Sequence, residues 1–137
     1  SINKQVVLII CIDSNELYRD EGYVEIEVLK AVSTKIKQME YDLPLLLLHN
    51  SILGTDECPL KNSASIIDFV HEHNIENVFC GHTHDMEVMK TPDLYNGNSF
   101  TQFVCGSLSS NDHINDDNMF LYYENLGSEN MHLHLVL

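Results

Sequence analysis

The segment Asn77–His84, with the sequence NVFCGHTH, decides how the rest of the chain is interpreted. Its first half, Asn77–Cys80, is a short apolar run that ends at a glycine, which predicts a buried strand. Gly81 is expected to let the backbone turn sharply, and His82 and His84 then lie on one side of an extended segment. Imidazole is the commonest metal ligand, and open α/β sheets bind ligands at strand ends. The segment therefore predicts two metal-directed histidines at the mouth of a sheet.

A second apolar run, Pro44–Leu48, also ends in a histidine, His49. Continuous apolar runs of this kind are typical of parallel strands that are buried on both faces. If the two strands are parallel neighbours, His49 lies at the same sheet edge as His82 and His84. The sequence then predicts three convergent imidazoles from two strand ends.

Two helical patterns separate three strand patterns in the first 84 residues. Apolar residues at helical spacing predict an amphipathic helix over about Tyr23–Met39, and a second helix is expected to begin at Asn62 or Ser63, either of which can cap it. The buried residues expected on these helices are Val28, Leu29, Val32, Ile36 and Met39, then Ile66, Ile67, Phe69 and Val70. The strands are expected at Gln5–Ile12, Pro44–Leu48 and Ile75–Cys80. This β-α-β-α-β order predicts a parallel sheet with crossover helices.

The pattern changes after residue 84, where short apolar runs are interrupted by Gly, Asn, Asp and Ser. These runs predict antiparallel strands packed on or beside the first sheet. They are Met86–Lys90, Phe100–Cys105, Met119–Tyr123 and His132–Val136. The polar segment Asp112–Asn118 is predicted to be a mobile loop. Residues 1–137 are expected to form a single α/β domain.

The composition limits the class of function. The chain has 137 residues and 44% hydrophobic residues, enough for one domain with its own core. Its formal net charge is -14, from 21 acidic and 7 basic residues, which argues against a nucleic-acid surface and is compatible with cation binding. The apolar runs are too short to cross a membrane and no secretion signal is visible, so a cytoplasmic location is expected.

The four cysteines contain no Cys-x-x-Cys spacing that would predict a metal knuckle. Cys11, Cys80 and Cys105 lie in apolar runs and are predicted to be buried free thiols.

Other histidines are interpreted as structural or solvated. His71 and His73 fall on a helix, where positions two apart do not share a face, so they are expected at a solvated helix end. His132 and His134 share a strand face that is expected to be wet. His113 lies in the polar loop and is expected to face solvent.

The ordered set of motifs resembles the C-terminal half of the calcineurin-like metallophosphoesterases. The resemblance rests on His49, on the Gly-His-Thr-His at Gly81–His84, on the Asp-Ser within Ile12–Asn15 and on the Gly-Ser within Cys105–Leu108. It implies half of a two-sheet α/β/β/α sandwich that holds two divalent metal ions, Mn, Fe or Zn.

By that resemblance His49 and His82 would bind one metal and His84 the other. The reaction implied is hydrolysis of a phosphomonoester or phosphodiester by a metal-activated water. Asp13 and Asn50, which follow strand ends, would orient ligand imidazoles, although most such residues cap turns. No catalytic residue is assigned to this chain.

The chain departs from the family where the carboxylate ligands should be. The Asp-x-His, Gly-Asp and Gly-Asn-His motifs of the family's first half are absent. The sequence therefore predicts half of a site, completed by a missing N-terminal half from the same parent chain or from a separate polypeptide. The isolated chain is expected to bind one ion weakly and to be inactive. Two alternatives stay open: a non-catalytic interaction module on the same scaffold, and a nuclease of the same superfamily.

Overall fold

The computed structural model describes residues 5–54, 60–83, 86–91, 99–105, 120–125 and 131–136. These residues form two α-helices and seven β-strands. In chain order they are β1 (Val7–Ile12), α1 (Ile26–Ile36), β2 (Leu43–Leu48), α2 (Ser63–Glu72), β3 (Asn77–Cys80), β4 (Glu87–Lys90), β5 (Thr101–Val104), β6 (Phe120–Asn125) and β7 (Met131–Val136).

Five strands form a mixed sheet in the order β1-β2-β3-β5-β4. Strands β1, β2, β3 and β5 are parallel, and β4 pairs with β5 in the antiparallel sense at one edge. The α/β class and the β-α-β-α-β order are thus confirmed. The expectation of antiparallel strands after residue 84 is confirmed for the pairing of β4 with β5, although β5 also lies parallel to β3, which was not expected. Strands β6 and β7 form a separate antiparallel pair, as predicted.

The core lies between the two helices and one face of the sheet. Alternate residues of adjacent strands, represented by Ile10, Leu46 and Val78, join Ile66 and Val70 of α2 in one buried cluster to which α1 also contributes. Leu46 is fully buried, so its truncation to alanine should cost about 2–5 kcal/mol of folding free energy. This packing fixes the sheet edge on which the candidate site is built.

Helix α1 is shorter than predicted, and its buried face agrees with the prediction at Leu29 and Ile36 but not at every position. Its buried positions are Leu29, Ser33 and Ile36. Val28 and Met39, which were expected in the core, are 44% and 53% exposed. The stripe that faces the sheet therefore starts at Leu29, and it includes a serine that an apolar pattern could not identify.

Helix α2 begins after Asn62, one of the two predicted capping residues, but the Asn62 side chain makes no capping hydrogen bond. Its Oδ1 accepts from the Val24 backbone amide at 3.1 Å, and its Nδ2 donates to the Val24 carbonyl at 2.6 Å. The carboxamide thus ties the segment before α1 to the start of α2.

The opposite face of the sheet carries exposed apolar side chains at the β1 edge. Ile9 is 59% exposed and Leu47 is 37% exposed, and Cys11 is exposed beside them. The prediction that Cys11 is buried is wrong, because it lies on the face away from the helices. Cys80 faces the helices and is a buried free thiol, as predicted, whereas Cys105 is free and half-buried.

Candidate metal centre

The ends of two neighbouring strands bring His49 and His82 together. Strands β2 and β3 are parallel, with Leu47 opposite Phe79, so their carboxyl ends meet at the same sheet edge. The backbone amide of Gly81 donates to the His49 carbonyl at 3.0 Å. His49 Nε2 and His82 Nδ1 lie 2.9 Å apart, and the two rings meet nearly edge to face at an interplanar angle of 78°.

A separation of 2.9 Å between two imidazole nitrogens suits two arrangements. In the first, one neutral ring donates its N–H to the lone pair of the other. In the second, both lone pairs face one cation: with metal–nitrogen bonds of about 2.0–2.1 Å, the two nitrogens lie about 2.9 Å apart at a right angle and about 3.3 Å apart at a tetrahedral angle. The distance between the two nitrogens is therefore compatible with both arrangements.

The backbone at His82 has a positive φ of 78°. This left-handed conformation is uncommon for a residue with a side chain, and strain of this kind costs on the order of 1–3 kcal/mol and clusters at functional sites. The expectation that Gly81 makes the turn is therefore wrong, since the left-handed residue is the histidine. The extended geometry assumed for His82 does not hold either. His84 lies outside the described residues.

Asp13 follows β1, the neighbour of β2, and lies at the same sheet edge as His49. Its Oδ1 accepts from the backbone amide of Asn15 at 3.0 Å and from the Asn15 side chain at 2.9 Å. These two hydrogen bonds lower the pKa of the Asp13 carboxyl, and the nearby charge of His49 lowers it slightly further. The carboxylate caps a turn and acts on His49 through its charge.

Asn50, next to His49, is buried and its side chain is turned into the protein. Its Oδ1 accepts from Ser14 Oγ at 2.8 Å, its backbone amide donates to the same Oγ at 3.1 Å, and its Nδ2 donates to the Asp20 carbonyl at 3.3 Å. Gly22 lies against this amide: a Cβ at that position would be 2.4 Å from Asn50 Oδ1. A side chain at position 22 would therefore clash with Asn50, so this position requires glycine.

The turn after His49 is also held from β5. Gln102 is fully buried, and its Oε1 accepts from the backbone amides of Ile52 at 2.7 Å and Leu53 at 2.9 Å. Sequence reasoning missed both Ser14 and Gln102. A glutamine inside an otherwise apolar strand was the only local signal, because a buried polar side chain needs a partner.

Of the histidines that were interpreted as structural or solvated, His73 differs from the expectation and His113 cannot be placed. His73 was expected at a solvated helix end, but it is only 6% exposed and its Nε2 lies 2.8 Å from Ser33 Oγ of α1. Its burial lowers the pKa of the imidazole. His71 is exposed, as predicted. His113 and the loop Asp112–Asn118 lie outside the described residues.

The pair of imidazoles is not extended to a larger ligand cluster within the described ranges. There, no group of three or more His, Cys, Asp or Glu side chains is arranged to hold a metal ion. The structure thus brings together two of the three predicted ligands, His49 and His82.

No protein-family model matches the chain, and no curated protein sequence matches it. In the part of the chain that the structure describes, neither helix is long and apolar enough to span a bilayer.

Proposed function

We propose that this chain contributes imidazole ligands to the two-metal centre of a phosphoester hydrolase of the calcineurin-like type. The observation that carries the proposal is the 2.9 Å approach of His49 Nε2 and His82 Nδ1 at the shared end of two parallel strands. The positive φ of His82 supports it, because the chain accepts backbone strain at the residue that presents a ring nitrogen.

In this proposal His49 and His82 hold one divalent ion, Mn, Fe or Zn, and His84 holds the second. When bound, the ions would supply Lewis-acid chemistry at a phosphoryl group. The chain's own residues anchor them without cancelling their charge, since neutral imidazole carries none. The phosphoester is the substrate, and no general acid or base is assigned within this chain.

The remaining ligands are proposed to come from a partner segment, the N-terminal half of the same domain type. Two imidazoles cannot complete a four-ligand site, and this chain lacks the family's carboxylate motifs. The exposed apolar side chains of Ile9 and Leu47, on and beside the edge strand β1, support such a partner because they leave apolar surface to be covered. The two-sheet sandwich and a cytoplasmic location belong to this proposal.

A second candidate function is a non-catalytic interaction module on the same scaffold. The observation that favours it is the same exposed apolar surface, together with a ligand group that stops at two histidines within the described residues. The net charge of -14 favours neither a nuclease nor any other role at a polyanion.

Metal binding and turnover separate these functions. The chain is titrated with Zn²⁺ and Mn²⁺ by calorimetry, then assayed with bis-p-nitrophenyl phosphate in excess Mn²⁺. We expect one ion per chain, binding lost in His82→Ala and kept in the matched exposed control His71→Ala, and no turnover. Turnover that depends on His82 would refute the half-site. Absence of metal binding would refute the hydrolase proposal and favour the interaction module.

A further inference from the structure

We propose that Ser14 and Gln102 are positioning residues that hold the turn carrying His49 from its two sides and so set its affinity for a metal ion. This inference rests on the proposed function. It concerns the turn His49–Leu53, which follows β2 in the middle of the sheet edge.

The hydrogen bonds on the first side of the turn come from Ser14, which follows β1. Ser14 is fully buried, and its hydroxyl both donates to Asn50 Oδ1 at 2.8 Å and accepts from the Asn50 amide at 3.1 Å. One hydroxyl thus fixes the backbone and the side chain of the residue next to His49. The Ser14 carbonyl also accepts from the Tyr23 amide at 2.9 Å, so Ser14 is itself held.

The hydrogen bonds on the other side of the turn come from Gln102 of β5. Gln102 Oε1 receives two backbone amides, those of Ile52 and Leu53. Its Nε2 has no hydrogen-bond partner within the described part of the chain. A buried amide group without a partner costs free energy that an apolar side chain would avoid. The contribution of Gln102 to the turn is therefore its acceptor oxygen, Oε1.

These hydrogen bonds affect the position of the His49 imidazole, because the ring is exposed and is carried by a turn whose next residues are buried. The ring contacts His82 Nδ1 at 2.9 Å, and the backbone of His49 sets the point from which the ring makes this contact. That backbone is fixed at residue 49 by the Gly81 amide, at residue 50 by Ser14 and at residues 52 and 53 by Gln102. Groups that orient a metal ligand typically affect metal affinity about 10–100-fold when removed.

The test compares Ser14→Ala and Gln102→Met with the matched control Ser33→Ala. Ser33 is also a buried serine with a side-chain hydrogen bond, but it lies between the helices, away from His49. Co²⁺ and Zn²⁺ affinities and the visible spectrum of the Co²⁺ form are measured beside thermal stability. We expect all three variants to lose stability, and only Ser14→Ala and Gln102→Met to bind Co²⁺ about 10-fold more weakly with an altered spectrum.

Unchanged Co²⁺ affinity and spectrum in folded Ser14→Ala and Gln102→Met would overturn the inference, as would an equal loss in Ser33→Ala. If the wild-type chain binds neither ion, the proposed function fails instead. Should both variants fail to fold, hydrogen exchange on the wild-type chain decides. Protected amides at Asn50, Ile52 and Leu53 support the inference, and amides that exchange as fast as those of the exposed residues overturn it.

Discussion

The chain contains two histidine contacts of nearly equal length in very different surroundings. At the sheet edge, His49 Nε2 and His82 Nδ1 are 2.9 Å apart, on partly exposed turns, and His82 has a positive φ. Between the helices, His73 Nε2 is 2.8 Å from Ser33 Oγ, and both residues are buried in a regular region. Distance alone does not separate a ligand pair from a structural contact.

The partner chemistry and the backbone do separate them. A serine hydroxyl can satisfy His73 Nε2 in either tautomer, since a hydroxyl both donates and accepts. Two imidazole nitrogens 2.9 Å apart can share one N–H hydrogen bond or, with both lone pairs turned to a common point, bind one cation. The exposed pair also contains a residue with a positive φ, His82, whereas the positive φ next to His73 falls on Asn74, a residue type that adopts it more readily. We therefore assign binding to the sheet-edge pair and stability to the pair between the helices.

The largest effect expected from this contrast is on metal affinity. His82→Ala removes one of two described ligands and should weaken Zn²⁺ binding about 100-fold or more, since loss of an outer group alone costs about 10–100-fold. His73→Ala should leave the Zn²⁺ affinity unchanged and lower the stability instead. Calorimetric titration measures both, and equal affinity losses in the two variants would break the assignment.

The next effect is on the packing behind His49. Gly22→Ala places a Cβ against Asn50 and the Ser14 carbonyl, so Asn50 and Ser14 must move. Overpacking of this kind should cost about 1–3 kcal/mol of unfolding free energy. Urea denaturation measures it, with Gly54→Ala as the control, because a Cβ at Gly54 meets no atom within 4 Å. A larger loss in the control would contradict this account of the turn.

The strain at His82 predicts a change in the opposite direction. Glycine adopts a positive φ without steric cost, so His82→Gly should raise the unfolding free energy by up to about 1 kcal/mol while abolishing metal binding. Thermal unfolding without metal measures the gain. A stability loss as large as that of His73→Ala would mean that His82 is structural.

The smallest effect concerns pH and the pair between the helices. Burial is the main cause that lowers the pKa of His73 below the usual histidine value of about 6.5, while Glu72 opposes and Lys37 reinforces the shift. Below about pH 6.5 the unfolded chain therefore binds more protons at this residue, and the stability that neutral His73 provides is lost as the pH falls. Urea denaturation at pH 7.5 and 5.5 should show a smaller pH effect in His73→Gln than in wild type, and equal effects would contradict the assignment.

The sequence was sufficient to predict the contact between the two strand ends. Apolar runs that end in His49 and His82 and are separated by helical patterns predict parallel neighbours, because crossover rules leave few other arrangements. That part of the fold is confirmed, with β2 and β3 paired in parallel.

The sequence-based predictions that were wrong or missing share one physical cause, which is packing between residues far apart in the chain. The burial of His73 depends on where α1 meets α2, and the exposure of Cys11 depends on which sheet face the helices cover. Ser14 and Gln102 contact residues 36 to 50 positions away, so no local pattern could identify their partners.

The most direct test of the central claim, that the imidazoles of residues 49 and 82 hold one cation, is a Zn²⁺ titration followed by nitrogen NMR of ¹⁵N-histidine-labelled chain. The account predicts that Nε2 of His49 and Nδ1 of His82 shift together at one equivalent of Zn²⁺, while the resonances of His73 stay in place. Ring nitrogens of residues 49 and 82 that do not respond, or that respond only with His71 and at many equivalents, would contradict it.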